Sequence, residues 1–209
     1  MLVLANVLVV NAHPLAAEDS QTVTVLDTFI KAHQESHPED VFTMLDLYYT
    51  DIPEIDGDLL SAWKSLQKGA DFTELSNVQQ EKVRVFNEFT DQFLASEKIV
   101  IANALWNLNI PTRLKAWFDT INVAGKTFKY TAEGPTGLIT DKKALHIQSS
   151  GGTYNGQDFS AQYVKGILNF IGISEFDSIY IEGADYDPSR APEIMEAAKE
   201  KAKALAAQF

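Results

Sequence analysis

The segment Ala102-Asn103-Ala104-Leu105-Trp106-Asn107-Leu108-Asn109-Ile110-Pro111-Thr112-Arg113-Leu114-Lys115-Ala116-Trp117-Phe118-Asp119 decides how this chain folds. Ahead of it stands Ile99-Val100-Ile101, an apolar run of the kind buried in parallel sheets. The run breaks into a loop of aromatic and amide side chains. At Pro111 it enters an amphipathic helix whose Leu114, Trp117, Phe118 and Ile121 form one stripe. A strand that turns into a helix in this way is the repeating unit of an open α/β sheet, whose ligands bind just outside the carboxyl ends of the strands. An indole and several amides at that place suit a flat aromatic ligand with polar edges.

The same alternation continues on both sides. Residues 2–10 read as a strand, and from Ser20 the positions Val23, Leu26, Phe29 and Ile30 keep helical spacing up to His37-Pro38. Residues 41–47 alternate as a second strand. Turns at Ile52-Pro53 and Asp56-Gly57 precede a short helix carrying Leu59, Leu60, Trp63 and Leu66. Ser76 and Gln79 have capping-box spacing, and Phe86, Phe89 and Phe93 line the helix that follows. Residues 98–103, 144–148 and 178–182 complete five strands. Phe159, Tyr163, Ile167, Phe170 and Ile171 stripe one further helix, and Ile194, Ala198, Ala202, Leu205 and Phe209 stripe the last. The pattern predicts an α/β fold over residues 1–209 as a single domain: a doubly wound, five-stranded parallel sheet with helices on both faces.

Composition narrows the function classes. The 209 residues are 45% hydrophobic, which allows a sizeable core. A net charge of −12 argues against nucleic acid as a partner, because phosphate neutralisation needs clustered Lys and Arg. With no cysteine there is no disulfide, thiolate nucleophile or cysteine-ligated metal, in keeping with a reducing cytosol. Residues 1–10 are apolar but lack a positive n-region and are too short to span a bilayer, so neither a leader nor a membrane anchor is expected there. A cytoplasmic protein is the expectation.

Three strand-end loops converge in such a sheet. The first, Asn11-Ala12-His13-Pro14-Leu15-Ala16-Ala17-Glu18-Asp19-Ser20-Gln21-Thr22, brings the Ser20 and Thr22 hydroxyls to the open first turn of a helix, an anion site by geometry and dipole. Ser20 as a plain N-cap explains this loop equally well by itself. The second offers the 105–108 backbone and the Asn107 side chain, against the simpler account of Trp106 as a core residue. The third, Ser149-Ser150-Gly151-Gly152, lets backbone approach a ligand, or is an ordinary strand-ending turn. Together they supply a phosphate end and a ring end, as a flavin requires.

Other motifs are missing or weak. No G-x-G-x-x-G follows the first strand and no P-loop lysine motif occurs, so nucleotide hydrolysis and a resident dinucleotide lack their usual machinery. His33 and His37 are spaced to share a metal, but a solvated pair with no carboxylate beside it is the expectation, and no metal site is assigned. His146 reads as a satisfied core histidine rather than a base. The 125–137 segment is long for this architecture, and its Phe128 and Tyr130 fall on one side of an extended stretch, where they can wall a flat pocket or pack as a surface hairpin.

These residues resemble the FMN-dependent NADH-azoreductases, flavodoxin-like homodimeric reductases of quinones and azo dyes. The likeness runs through Leu105-Trp106-Asn107-Leu108-Asn109-Ile110-Pro111, Gly125-Lys126-Thr127-Phe128-Lys129-Tyr130, Glu133-Gly134-Pro135, Ser149-Ser150-Gly151-Gly152, Asn169-Phe170-Ile171-Gly172-Ile173 and Ile181-Glu182-Gly183. It implies a flavodoxin-like fold, tightly bound FMN, and NADH or NADPH as donor. It implies FMN phosphate on Ser20, Gln21 and Thr22 with His13 nearby, the ring along Leu105, Trp106, Asn107 and Leu108, and its pyrimidine side at Ser149, Ser150, Gly151 and Gly152. Phe128 and Tyr130 are substrate-pocket residues on this reading, with Phe170 contributed across a homodimer. Many family members have proline at the position of Ala104 and serine at that of His13.

The resemblance implies two-electron, ping-pong hydride transfer through the flavin to a quinone or azo compound, with no acid or base side chain required. Backbone amides of the 105–108 and 151–152 segments would hold the developing negative charge. The alternative is a flavodoxin-like electron carrier acting on a protein partner, which the long 125–137 segment and the 48–75 insertion exceed.

Overall fold

The computed structural model describes residues 4–209. Its strands are β1 (Asn6–Ala12), β2 (Val41–Asp46), β3 (Lys98–Ala104), β4 (Phe128–Thr131), β5 (Gly134–Gly137), β6 (Lys143–Ser150) and β7 (Glu175–Glu182). The helices are α1 (Gln21–Ser36), α2 (Gly57–Gln67), α3 (Asn77–Leu94), α4 (Thr112–Ile121), α5 (Phe159–Ile171) and α6 (Ala191–Ala206). Five strands pair in parallel in the order β2-β1-β3-β6-β7, while β4 and β5 form a separate antiparallel hairpin. The chain leaves β1 towards one edge and returns to build the other half, so the crevice between β1 and β3 is the switch point of the sheet.

Both faces of the sheet are buried at its inner strands β1, β3 and β6, as their apolar runs require. On one face Val7, Val9, Val100, Leu145, Ile147 and Ile179 meet Leu26 and Phe29 of α1 and Ala198, Ala202 and Ala206 of α6. On the other, Leu8, Val10, Ile99 and Ile101 meet Phe93 of α3, Trp117 and Phe118 of α4, and Leu168 of α5. The small side chains of α6 let it lie close to the sheet. The α2 helix rests on α3 through Leu59, Ala62, Val83 and Phe86. The capping box at Ser76 and Gln79 is formed, with each side chain bonded to the other's backbone N–H. Among the described residues no helix is long and apolar enough to cross a membrane.

The differences from the expected pattern have local causes. The first strand begins at Asn6 and runs on to Ala12, because Asn11 and Ala12 still pair with Ala102 and Asn103. Leu2 and Val3 lie outside the described residues. The last strand starts at Glu175, since Glu175, Phe176 and Asp177 pair with Lys143, Ala144 and Leu145. As an edge strand it alternates polar and apolar residues there, which hides its beginning in the sequence.

The expected solvated pair His33 and His37 is overturned. His33 is fully buried, with Nε2 2.9 Å from Asp40 Oδ2 and Nδ1 3.1 Å from the Ala206 carbonyl, so a carboxylate is fixed beside it. His37 stacks on its ring at 4.4 Å. No group of three or more potential ligands able to hold a metal occurs among the described residues.

Candidate active site

Where β1 ends, the chain turns tightly. The His13 N–H donates to Asn11 Oδ1 at 3.2 Å, and His13 Nδ1 accepts from the Leu15 N–H at 3.2 Å. An imidazole that accepts at Nδ1 carries its proton on Nε2 when neutral. Burial holds the His13 pKa below its usual value, and a bond accepted at Nδ1 belongs to the neutral ring, so His13 presents a neutral N–H donor. After the short turn Ala17–Asp19, Ser20 caps α1 by accepting from the Val23 N–H at 3.3 Å. The N–H groups of Gln21 and Thr22 begin the helix and have no acceptor within it.

The end of β3 is held by β6: the Leu105 N–H donates to the Ser149 carbonyl at 2.8 Å. Trp106 and Asn109 then close a two-residue turn by exchanging both backbone bonds, at 3.1 and 3.0 Å. Its central residues, Asn107 and Leu108, have φ of 49° and 64°, left-handed backbone that a leucine adopts only under constraint. Such strain is concentrated where a loop must hold one shape.

Beyond β6, the Gly183 N–H bonds to both the Ser150 and Gly152 carbonyls at 3.2 and 3.1 Å. Glu182 accepts from the N–H groups of Tyr154 and Asn155 at 2.9 and 2.8 Å, so the end of β7 fixes the course of this loop. A Cβ on Gly151 would lie 2.6 Å from Asp185 Oδ2, so any other residue there would displace that exposed carboxylate.

His13, Ser20, Gln21, Leu105, Trp106, Ser149, Ser150 and Gly151 all line one groove of about 270 Å³, as the three-loop reading requires. The other expected residues are placed differently. Thr22 is buried and does not line the groove: its hydroxyl lies 2.7 Å from Ser149 Oγ and 3.3 Å from the Asn103 carbonyl, so it ties α1 to the sheet. Asn107 lines a neighbouring cavity of about 950 Å³ that shares Trp106 with the groove. Leu108 is half exposed at the tip of the turn. The Leu105 and Trp106 N–H groups, expected to face the ligand, are committed to Ser149 and Asn109. Gly152, also expected at the ligand, does not line the groove. Trp106 is 38% exposed, packs on His13 at 5.5 Å between ring centroids, and is a wall between the two cavities rather than a core residue.

Phe128, Tyr130 and Phe170 form one aromatic cluster, with centroids 5.5 Å apart for the first two and 4.8 Å for Phe128 and Phe170. Tyr130 is 75% exposed and Phe170 37%, and none of the three lines the groove of the same chain. The β4–β5 hairpin that carries Phe128 and Tyr130 is docked on the end of α5, which carries Phe170; there a Cβ on Gly137 would strike Gly172 N at 2.3 Å.

Asp19, Ala104 and Asp185 also line the groove and were not anticipated. The signal for Asp185 was available: parallel strands put every carboxyl end on one side, so the loop after the last strand is as eligible as the other three. The larger cavity adds Tyr48 and Arg113, whose guanidinium donates to the Leu47 and Thr50 carbonyls at 2.9 and 3.1 Å.

Residues 5–206 match the family described as having a flavodoxin-like fold. An FMN-dependent NADH:quinone oxidoreductase of Streptococcus suis is 45% identical over 198 residues, covering 95% of this chain and 96% of that protein. A Bacillus licheniformis protein named FMN-dependent NADH:quinone oxidoreductase 2 is 42% identical over 99% of this chain and 100% of its own length. Among solved structures, an azoreductase from Bacillus anthracis superposes with a TM-score of 0.92 at 35% identity, covering 99% of this chain and 100% of that one. An FMN-dependent NADH-azoreductase from the same species, in complex with FMN, gives 0.90 at 31% identity, covering 98% and 99%. This chain belongs to the flavodoxin-like family, among its FMN-dependent NADH:quinone oxidoreductases and azoreductases.

Proposed function

We propose that this chain is an FMN-dependent NAD(P)H oxidoreductase that reduces quinones and azo compounds in a two-electron, ping-pong order, as one cytoplasmic flavodoxin-like domain working in a homodimer. The observation that carries the reading is the convergence of the ends of β1, β3 and β6 on one groove at the switch point. The names of the relatives favour it over an electron carrier and point to NADH as the donor.

The residues present fit FMN. At one side of the groove, the first turn of α1, the Ser20 hydroxyl and the neutral His13 N–H make a donor set for a phosphate. The indole of Trp106 offers a flat apolar surface for the ring. Asp185 only accepts hydrogen bonds and suits the ribityl hydroxyls or the ring imide N–H. Asp19 has the wrong sign for a phosphate, and as an exposed side chain it is free to turn to water.

When bound, FMN supplies the redox chemistry, taking a hydride from NADH and passing it to the acceptor. The protein orients and excludes. The strained 106–109 turn holds Trp106 and Asn107 in fixed positions, and the Glu182-anchored loop does the same for Gly151. A ring-end site used in turn by donor and acceptor makes the order ping-pong. Tyr130 and Phe170 wall that site from the partner subunit, consistent with their exposure and their distance from the groove of their own chain.

The test is an absorbance spectrum of the purified protein with and without FMN, followed by anaerobic NADH and then a quinone. Yellow protein that bleaches with NADH and recovers with quinone is expected. Flavin that NADH and NADPH leave oxidised would favour the electron carrier, and protein that takes up no flavin would remove the reading. Sedimentation that finds only monomer at micromolar concentration would remove the shared pocket.

A further inference from the structure

His146 is a fully buried titratable group with no part in the site as described. It stands on β6 between Leu145 and Ile147, in register with Ile101 of β3. Its ring reaches diagonally to the next residue on that face of β3, with Nε2 2.8 Å from Asn103 Oδ1. Its Nδ1 has no partner among the described residues. An imidazole half-satisfied in an apolar core is costly, and a leucine would occupy the place without that cost.

The Asn103 amide is fixed at its other end. Nδ2 donates to the Ala104 carbonyl at 3.1 Å and to Ser160 Oγ at 3.2 Å, which makes Oδ1 the acceptor and His146 the donor. Burial holds His146 down to about 4 against the opposing influence of Asp158, so it remains a neutral N–H donor over the working range. Ala104 lines the groove and begins the passage from β3 into the 105–108 turn. The Asn103 carbonyl also receives Thr22 Oγ1, the bond that seats α1. One imidazole N–H thereby orients the residue that joins both walls of the groove.

We propose that His146 is a positioning residue for the cofactor loop: its Nε2–H sets the Asn103 amide, and Asn103 sets the Ala104 carbonyl and the entry to the 105–108 turn. The proposal rests on the FMN reading of the groove. It is tested by titrating apo-protein with FMN, following flavin fluorescence, alongside thermal melts. His146→Leu removes the donor and weakens FMN binding about tenfold. His146→Gln, whose amide can donate to Asn103, stays within about twofold of wild type. Leu168→Ala, a cavity on α5, lowers the Tm at least as far and leaves the FMN affinity unchanged. Should His146→Leu not fold, Asn103→Ala carries the same expected tenfold loss. Wild-type affinity in His146→Leu, equal loss in the Leu and Gln variants, or equal loss in Leu168→Ala each overturns the proposal. Wild-type protein that binds no FMN overturns the cofactor reading itself, and the positioning role with it.

Discussion

The sheet buries one histidine at its amino-terminal end and another midway along β6, and the two are treated differently. At the amino-terminal end His33 lies between two acceptors, Asp40 and the Ala206 carbonyl, and Asp40 is shared with Lys98 at 2.7 Å and with the Ala5 N–H at 2.9 Å. That cluster ties α1, α6, β2 and β3 together, and the Phe209 ring closes over it against Phe29 and Lys98. His146, midway along β6, has one partner among the described residues and one bare nitrogen, and the turn after β3 holds Asn107 and Leu108 in left-handed backbone. The amino-terminal end sets an acceptor beside each ring nitrogen of His33, of which the neutral ring can donate to one. The path from His146 to the groove retains an unmet group and local strain, as expected where a fixed shape matters more than stability.

The sharpest way to break the comparison is Asp40→Ala. It leaves His33 and Lys98 without their shared carboxylate in a buried place, and a loss of about 3–5 kcal/mol is expected. Calorimetry should register it as a much lower Tm, while FMN affinity of the folded protein stays as in wild type. An altered affinity would show that the two ends are coupled.

Next in size is the response to acid. Burial alone would raise Asp40, but bonds from Lys98, His33 and the Ala5 N–H overcome it and hold the carboxyl to about 2. Its contribution is present above the unfolded pKa near 4 and is lost as the pH falls from there towards 2. His146 acts at higher pH. With its folded pKa near 4 and an unfolded value near 6.5, the unfolded chain binds the extra proton between them. Stability therefore falls as the pH drops through that window, by up to about 1.4 kcal/mol per pH unit for one group. His13 and His33, both lowered chiefly by burial, add slope there too. The difference between wild type and His146→Gln in urea midpoints from pH 7 to 4 isolates the part due to His146. Parallel curves would contradict it.

Asn107→Ala sharpens the ligand end. Loss of its amide and of a residue that tolerates left-handed backbone should weaken FMN binding about tenfold, the equivalent of one good hydrogen bond. Unchanged binding and unchanged reduction by NADH would remove Asn107 from the site.

The smallest effect is expected for Leu108→Gly. Glycine takes φ near 64° freely, so relief of strain should raise stability by about 1 kcal/mol, less its own entropy cost. A gain in Tm with slower flavin reduction would show that the strain serves the site. A loss of stability would show that the leucine side chain holds the turn.

Much of this was legible in the chain. The strands are apolar because both sheet faces are covered, and the Ser76 and Gln79 cap is a local exchange of bonds that depends on spacing alone. His13, Ser20, Gln21, Trp106 and Gly151 follow from strand ends, because a parallel sheet sends all of them to one side. Thr22 did not follow so simply: whether its hydroxyl faces a ligand or the core depends on Ser149, which is 127 residues away. The N–H groups of Leu105 and Trp106 are likewise committed by β-pairing and turn closure.

The sequence by itself determined the alternation of strand and helix, the side of the sheet to which the strand-end loops go, and the residue types available there. These depend on periodicity, breakers and capping, which act over a few residues. Tertiary structure alone decided that Asp40 and Ala206 enclose His33, that Asp185 stands over Gly151, and that His146 reaches Asn103. Such contacts join residues brought together only when distant strands pair in register and helices dock on them. No local pattern encodes which donor will find which acceptor.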